Sequence, residues 1–322
     1  TIYSWRYVGN SKPTWKYHQK NYVQAPSKQD VLRRTVSVIA ASWNAHFGCG
    51  SMIAGDMPPR LQESIDHVEA FLEWAKESLF GVVGGGYDCE GFAPGMWNGE
   101  SYGATTLVPG SNVHYIHVMT EPYGNILEIS DCGYTVCSAS DLRTGENLEF
   151  KQADGMVQIT VSDWDDVEVW GDKVIKLTVD NERKLIATDE ITVTANTQAD
   201  EYPIENVLSD DYSKIYYSGA DAEMPCEIKI SLDQETKIHG IGIIQPECAS
   251  VVPSPKSPAN ERLRDYIIDF GNGNTVKGTL RSERGLQVIH FNPVTIKDCT
   301  IRFLNNYCGS NTVKIIKLEI FR

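Results

Sequence analysis

The stretch YPIENVLSDDYSKIYYSG (202–219) sets two adjacent carboxylates, Asp210 and Asp211, between a short apolar segment and the pair Tyr216-Tyr217. An oxygen-rich tight turn of this kind suits a structural Ca²⁺, a hard cation that takes carboxylate and carbonyl oxygens. The same residues also make Asx-type turns, in which the carboxylate bonds its own backbone. A second stretch, SDWDDVEVW (162–170), carries groups that a sugar site uses. An indole stacks on sugar C–H faces and carboxylates accept from hydroxyls, although sandwich loops carry such residues without any ligand. His114-Tyr115-Ile116-His117 offers two imidazoles three positions apart. On a strand such positions face opposite sides, so the two cannot grip one ion there. Gly84-Gly85-Gly86 has no following Gly-Lys-Ser/Thr and reads as a hinge rather than a phosphate loop. No Gly-x-Ser-x-Gly elbow is present. The eight cysteines, Cys49, Cys89, Cys132, Cys137, Cys226, Cys248, Cys299 and Cys308, show neither CxxC nor zinc spacing. Buried or free thiols are one reading. Disulfides in an oxidising compartment are the other, with Cys132–Cys137 and Cys299–Cys308 as the nearest pairs.

These groups need a scaffold, and its elements are legible. Residues 27–43 predict a helix, with Ser27 as cap and Asp30 completing an acidic capping box. Leu32, Val36 and Ile39, flanked by Val31, Thr35 and Val38, form its apolar face. A second helix starts at Pro58-Pro59, where missing N–H groups cost little, and ends before Gly81. Its stripe is Leu61, Ile65, Val68, Leu72, Ala75 and Leu79. From about 101 to 180 the texture changes to short alternating runs: YGATTLV, VHYIHVM, ILEIS, YTVCSA, LEFKQ, MVQITV and VIKLTV. Turn residues such as Pro109-Gly110 and Asp154-Gly155 separate them, the pattern of an antiparallel sandwich. NERKL (181–185) is a polar linker. A further strand-rich block follows, with EITVTA, EIKISL, IHGIGIIQ, DYIIDF, TVKGTL, LQVIHF, CTIRFL and VKIIKLEIF. Asn272-Gly273 marks a hairpin in it, and the proline-rich insert at 249–261 is a surface loop.

The organisation is therefore multidomain. The helix-rich piece at 1–81 has apolar stripes that need a partner surface, and antiparallel sandwiches follow at 82–182 and 187–322. Hydrophobic content of 41% supports packed cores, and a net charge of −14 argues against nucleic acid or an anionic membrane as partner. No apolar run approaches the ~20 residues of a membrane span.

In series, TIYSWRY, VLRRTVSVIAASWNAHFGCG and GDMPPRLQESIDHVEAFLEWAKESLFG resemble the end of the catalytic barrel of α-L-fucosidases of glycoside hydrolase family 29, with Trp5, Tyr7, Asn44, Gly55, Leu61, Trp74 and Gly81 in register. LVPGSNVHYIHVMTEPYGNILEI, LRTGENLEFKQADGMVQITV and VIKLTV resemble the sandwich that follows that barrel. Residues 187–322 resemble a discoidin-like, galactose-binding sandwich of the coagulation-factor C-terminal type.

The resemblance implies the terminal part of a (β/α)8 barrel followed by two antiparallel β-sandwich domains. It implies a retaining glycosidase, whose two catalytic carboxylates stand about 5–5.5 Å apart. Both matching positions are expected upstream of Thr1, on a barrel segment that completes this chain or is a separate chain, so no catalytic residue is assigned here. Trp5, Asn44 and His46 are the expected substrate contacts at the strand ends. The chain departs from the family at Ser42-Trp43, where the family has Gly-Gly, and at His46-Phe47-Gly48-Cys49, where it has Asn-Ile-Gly-Pro. Fucosylated or galactose-containing glycans are the implied partners. Arg262, Asn306 and Tyr307 are the implied glycan contacts of the last domain. No cofactor is required beyond a structural Ca²⁺ at Asp210 and Asp211. The implied location is secreted or periplasmic, although no signal segment is visible. Two alternatives remain: a carbohydrate-binding module that works through the last domain, and sandwiches with a purely structural role. An aromatic and an arginine exposed together at one loop end of the last sandwich would separate these two.

Overall fold

The computed structural model describes residues 26–40, 56–84, 103–180, 182–211, 213–246, 261–271, 273–282 and 286–322, with the backbone of two short strands at 2–4 and 44–46. The chain divides into two compact units, Thr1–Asn181 and Glu182–Arg322.

In the first unit β1 (Ile2–Ser4) pairs in parallel with β2 (Asn44–His46), and α1 (Lys28–Ala40) lies between them in the chain. Parallel neighbours need such a crossover. The Ser27 hydroxyl accepts the Asp30 N–H at 3.1 Å, so the cap forms as expected. α2 (Pro59–Ala75) starts at the proline pair, but its buried face is Ser64, His67, Phe71 and Ala75. Ile65, on the predicted stripe, is 42% exposed. The rotation follows the aromatics. Phe71 packs edge-on against Trp74 at 4.6 Å, and His67 Nε2 lies 2.8 Å from the Trp170 carbonyl. Burying large rings on that side outweighs an aliphatic stripe.

The remaining strands of this unit are β3 (Val83–Gly84), β4 (Gly103–Leu107), β5 (Val113–Val118), β6 (Ile126–Ser130), β7 (Val136–Asp141), β8 (Asn147–Leu148), β9 (Phe150–Ala153), β10 (Met156–Thr160) and β11 (Lys173–Val179), with the short helix α3 (Asp165–Val169) before the last. They build an antiparallel sheet in the order β3-β4-β5-β11-β7-β8 and a smaller one in the order β6-β10-β9. Ala104, Tyr115, Met119 and Val174 share one core with Leu32, Val36, Phe71, Ala75 and Leu79. The helical segment and the strands that follow it are thus held together by a common apolar layer, which supplies the surface that the helix stripes require.

The second unit contains β12 (Ile191–Ala195), β13 (Tyr216–Tyr217), β14 (Cys226–Ile244), β15 (Asp265–Asp269), β16 (Thr275–Thr279), β17 (Leu286–Phe303), β18 (Lys314–Ile315) and β19 (Lys317–Phe321). Two pairs of expected strands are fused here. EIKISL and IHGIGIIQ form one long strand, β14, and LQVIHF and CTIRFL another, β17. Their mutual register slips after Ser231 and again after Ile238. Irregularities of this kind bend a strand. The first half of β14 pairs β12 and the end of β17, and its second half pairs β19 and the start of β17. β15 and β16 extend the sheet as the hairpin expected at Asn272-Gly273, with Asp269 opposite Thr275. Ile228, Ile230, Ile241, Ile243, Ile268, Ile301 and Phe303 fill the core.

Cys132, Cys137, Cys299 and Cys308 are free thiols, so neither nearest pair is bridged. Cys132 is buried whereas Cys137 is exposed, and Cys299 lies in the core whereas Cys308 sits half-buried in the loop after β17. Among the described residues no helix is long and apolar enough to cross a membrane.

Candidate functional site

The described loop residues 196–211, 213–225, 245–246, 261–264, 280–282 and 304–313 lie at one end of the second unit. Register requires this, since Cys226 and Tyr266 both face Phe303, and Asp265 faces Thr279. At that end Leu263 bridges Asn306, and the Tyr307 N–H donates to the Arg262 carbonyl at 2.9 Å. The three residues expected to contact glycan are therefore brought together, but they are used differently.

Arg262 is 9% exposed, and its Nη1 donates to the Ser282 carbonyl at 2.7 Å. Asn306 is 4% exposed and donates to Ser310 Oγ at 2.7 Å and the Thr312 carbonyl at 3.0 Å. Both hold loops in shape. Tyr307 is the one of the three that faces solvent, at 40% exposure, while its hydroxyl donates to the Leu280 carbonyl at 2.8 Å.

The arginine that joins it is Arg264. Its guanidinium carbon lies 5.8 Å from the Tyr307 ring centroid, within cation–π range, and its side chain is 53% exposed. The backbone beneath is fixed on both sides, because the Arg264 N–H donates to Asn305 O and its carbonyl accepts from Leu280 N–H. Next to it, Asn305 and Thr279 donate to the Asp265 carboxylate at 2.7 and 2.8 Å. Those two bonds, Asn305's first, hold the Asp265 pKa below the usual carboxylate range, so a fixed anion stands beside the guanidinium. Sequence reasoning missed Arg264. In ERLRDY the two arginines look alike, and only packing tells which one is buried.

A second aromatic group stands on the same loops. Tyr202 meets Tyr217 edge-on at 6.1 Å, and the Lys314 ammonium lies 5.2 Å over the Tyr217 ring while pairing with Glu261. The preceding Tyr216 is wholly buried, its hydroxyl donating to Thr197 O at 2.6 Å.

Asp210 and Asp211 point to different partners. Asp210 Oδ1 accepts from Lys317 Nζ at 2.7 Å, and this bond lowers its pKa. Asp211 Oδ1 accepts the Ser213 N–H and hydroxyl at 3.0 and 2.6 Å, an Asx-type turn that lowers its pKa likewise.

In the first unit, SDWDDVEVW is structural. Trp164 is 7% exposed, with its Nε1–H donating to Gly124 O at 2.9 Å. Asp163 and Asp166 join Asp141 around the buried Lys173 ammonium, and Arg143 closes the group on Asp166 at 2.8 Å. His114 and His117 part to opposite faces of β5, as strand geometry requires. His114 meets the Tyr134 ring edge-on, while His117 Nδ1 lies 2.7 Å from Asp172 Oδ2. Trp5 lies outside the described residues, as do the side chains of Asn44 and His46, whose backbone forms β2.

No protein-family description matches this chain, and no curated protein matches it significantly. Solved structures do. The chain is similar in structure to both families that its sequence resembles, each over part of its length. One is the family 32 carbohydrate-binding module of NanJ from Clostridium perfringens, solved with galactose. It is 16% identical, with 43% of this chain and 98% of that one covered and a TM-score of 0.36. Another is the family 29 α-L-fucosidase of Bacteroides thetaiotaomicron, trapped as a covalent intermediate. It is 19% identical over 52% of this chain and 36% of that one, with a TM-score of 0.43. For α-L-fucosidase isoenzyme 1 of Paenibacillus thiaminolyticus the figures are 16%, 52%, 37% and 0.43. The matched region spans little more than a third of either fucosidase.

Proposed function

We propose that this chain is part of a secreted or periplasmic glycoside hydrolase of the retaining α-L-fucosidase type, and that Glu182–Arg322 is its glycan-binding module. The motifs at 1–180 support the first part, together with the element order. A helix connects a parallel strand pair, as in an α/β barrel, and antiparallel strands follow. On this reading the nucleophile and the acid/base stand on barrel strands other than β1 and β2.

One observation carries the second part: Arg264 and Tyr307 are exposed together at one loop end. A phenol ring accepts the C–H face of a pyranose. A guanidinium, which only donates, bonds the hydroxyls at its edge. The Asp265 carboxylate beside it accepts from a hydroxyl and so completes a donor–acceptor pair.

Two assays test this. The 322-residue chain alone leaves an aryl α-L-fucoside intact, and the same chain joined to an upstream barrel segment hydrolyses it. Release of the aryl group by the 322-residue chain would overturn the catalytic assignment. On a glycan array the chain binds galactose- or fucose-terminated glycans, and R264A or Y307A weakens that binding at least about tenfold, the effect of losing a central aromatic or arginine anchor. A flat array, or variants that bind like the parent, would leave the module a structural one.

A further inference from the structure

Lys317, the first residue of β19, is a buried cation with a 5% exposed side chain. A buried ammonium is costly unless each of its three N–H donors finds an acceptor. Lys317 finds three, on three consecutive residues: the Leu208 carbonyl at 3.1 Å, the Ser209 carbonyl at 3.1 Å and Asp210 Oδ1 at 2.7 Å. Two main-chain carbonyls and one carboxylate, the latter on a side chain 97% exposed to solvent, are three of the six to eight oxygens a Ca²⁺ ion takes, and water can supply the others. The ammonium stands where they converge.

Its position is fixed from behind. β19 is hydrogen-bonded along β14, with Lys317 opposite Ile244, so the side chain leaves a rigid strand. The turn it meets ends the single-turn helix Ile204–Leu208, whose Ile204 and Val207 are buried in the core. The group is reachable from solvent, since Lys317 and Asp210 line a cavity of about 380 Å³ together with Arg183, Ile186, Ile191 and Glu319.

We infer that Lys317 is a built-in cation filling a calcium-type oxygen cage at Leu208–Asp210, so that the second unit holds this turn without a metal ion and removal of the ammonium turns it into a divalent-cation site. The inference is independent of the glycosidase reading. It also gives the Asp210-Asp211 stretch a role that sequence spacing had assigned to Ca²⁺. The cage pins the segment that runs on to Tyr216-Tyr217, so glycan contacts made by those loops are insensitive to chelators.

Hydrogen exchange of the full chain, read by mass spectrometry on peptides spanning 204–211, tests it. In the wild type, protection of these peptides is the same in EDTA and in millimolar Ca²⁺. In K317S, exchange in EDTA is faster by about tenfold or more, as for a locally opened turn, and Ca²⁺ restores protection. In K317S/D210N, Ca²⁺ restores nothing, which separates this cage from other acidic sites on a chain of net charge −14. If K317S fails to fold, K317Q keeps the apolar stem and is read by the same criteria. Protection of the wild-type turn by Ca²⁺ overturns the inference. So does a folded K317S or K317Q, with Asp210 intact, that Ca²⁺ fails to protect.

Discussion

Removing one partner from the ion cluster beneath α3 should unfold the first unit more easily, by an amount the geometry sets. Lys173 and Asp141 have side chains 2% and 5% exposed and lie 2.6 Å apart. Breaking a buried pair from one side costs about 3–5 kcal/mol, mostly for the charge left behind. K173M leaves Asp141 with the Arg143 and Thr144 N–H groups at 2.9 Å each, and Asp166 with Arg143. Its cost therefore falls at the lower end, about 3 kcal/mol. D141N leaves the ammonium facing Asp163 at 3.4 Å and Asp166 at 3.9 Å, and costs about 4 kcal/mol. The double variant should lose less than the sum by at least about 1 kcal/mol, because the pair is coupled. All seven tryptophans lie before Asn181, so indole fluorescence during urea unfolding reports this unit alone. With a slope of about 2 kcal/mol per molar, the K173M midpoint drops by about 1.5 M.

The pH dependence carries a sign. Burial works against the Asp141 carboxylate, but the Lys173 and Thr144 bonds outweigh it and hold its pKa below the ordinary value. Its contribution is complete above about pH 4, near the unfolded pKa, and is lost as pH falls through the folded one. Lys173 is shifted upward, with its three carboxylate neighbours outweighing burial, so its share is lost only as pH rises through its folded pKa. D141N should therefore flatten the acid limb of the stability profile. A K173M midpoint within about 0.3 M of wild type, or strictly additive single variants, would refute a tightly coupled buried cluster.

Two further outcomes follow. Gly171 has φ +95°, and a Cβ there would stand 2.8 Å from Gln29 Cβ on α1, so G171A should cost about 2 kcal/mol and lower the thermal midpoint of the first unit. An unchanged midpoint would mean that α1 does not press on this turn. In the native protein, iodoacetamide should label exposed Cys137 and spare Cys226 and Cys299, whose thiols burial pushes up, Cys299 to about 12. The hydrogen bond to Asp180 also raises the Cys137 pKa, so D180N should speed its labelling, and an unaltered rate would show that the bond is not kept in solution.

Much of the scaffold is local, and local order is readable. The Ser27 cap closes on Asp30 three residues away, the prolines at 58–59 start α2, and the alternation in ILEIS gives a strand that buries Leu127 and Ile129, whereas VHYIHV forms a strand buried on both faces. These depend on neighbours within a turn or a pleat. The barrel-end and sandwich resemblances rest on the same kind of short cadence. Tertiary structure decided what each polar group meets. Lys317 reaches Asp210 across 107 positions, Arg33 bonds Gly171 across 138, and Lys173 gathers its carboxylates from two separate segments. Packing alone buried Arg262 and exposed Arg264, and turned α2 from its aliphatic stripe onto Phe71 and His67. Periodicity states that a face is apolar or a residue charged. Which surface covers that face, and which opposite charge approaches, depends on segments far apart in the chain meeting at a few ångströms.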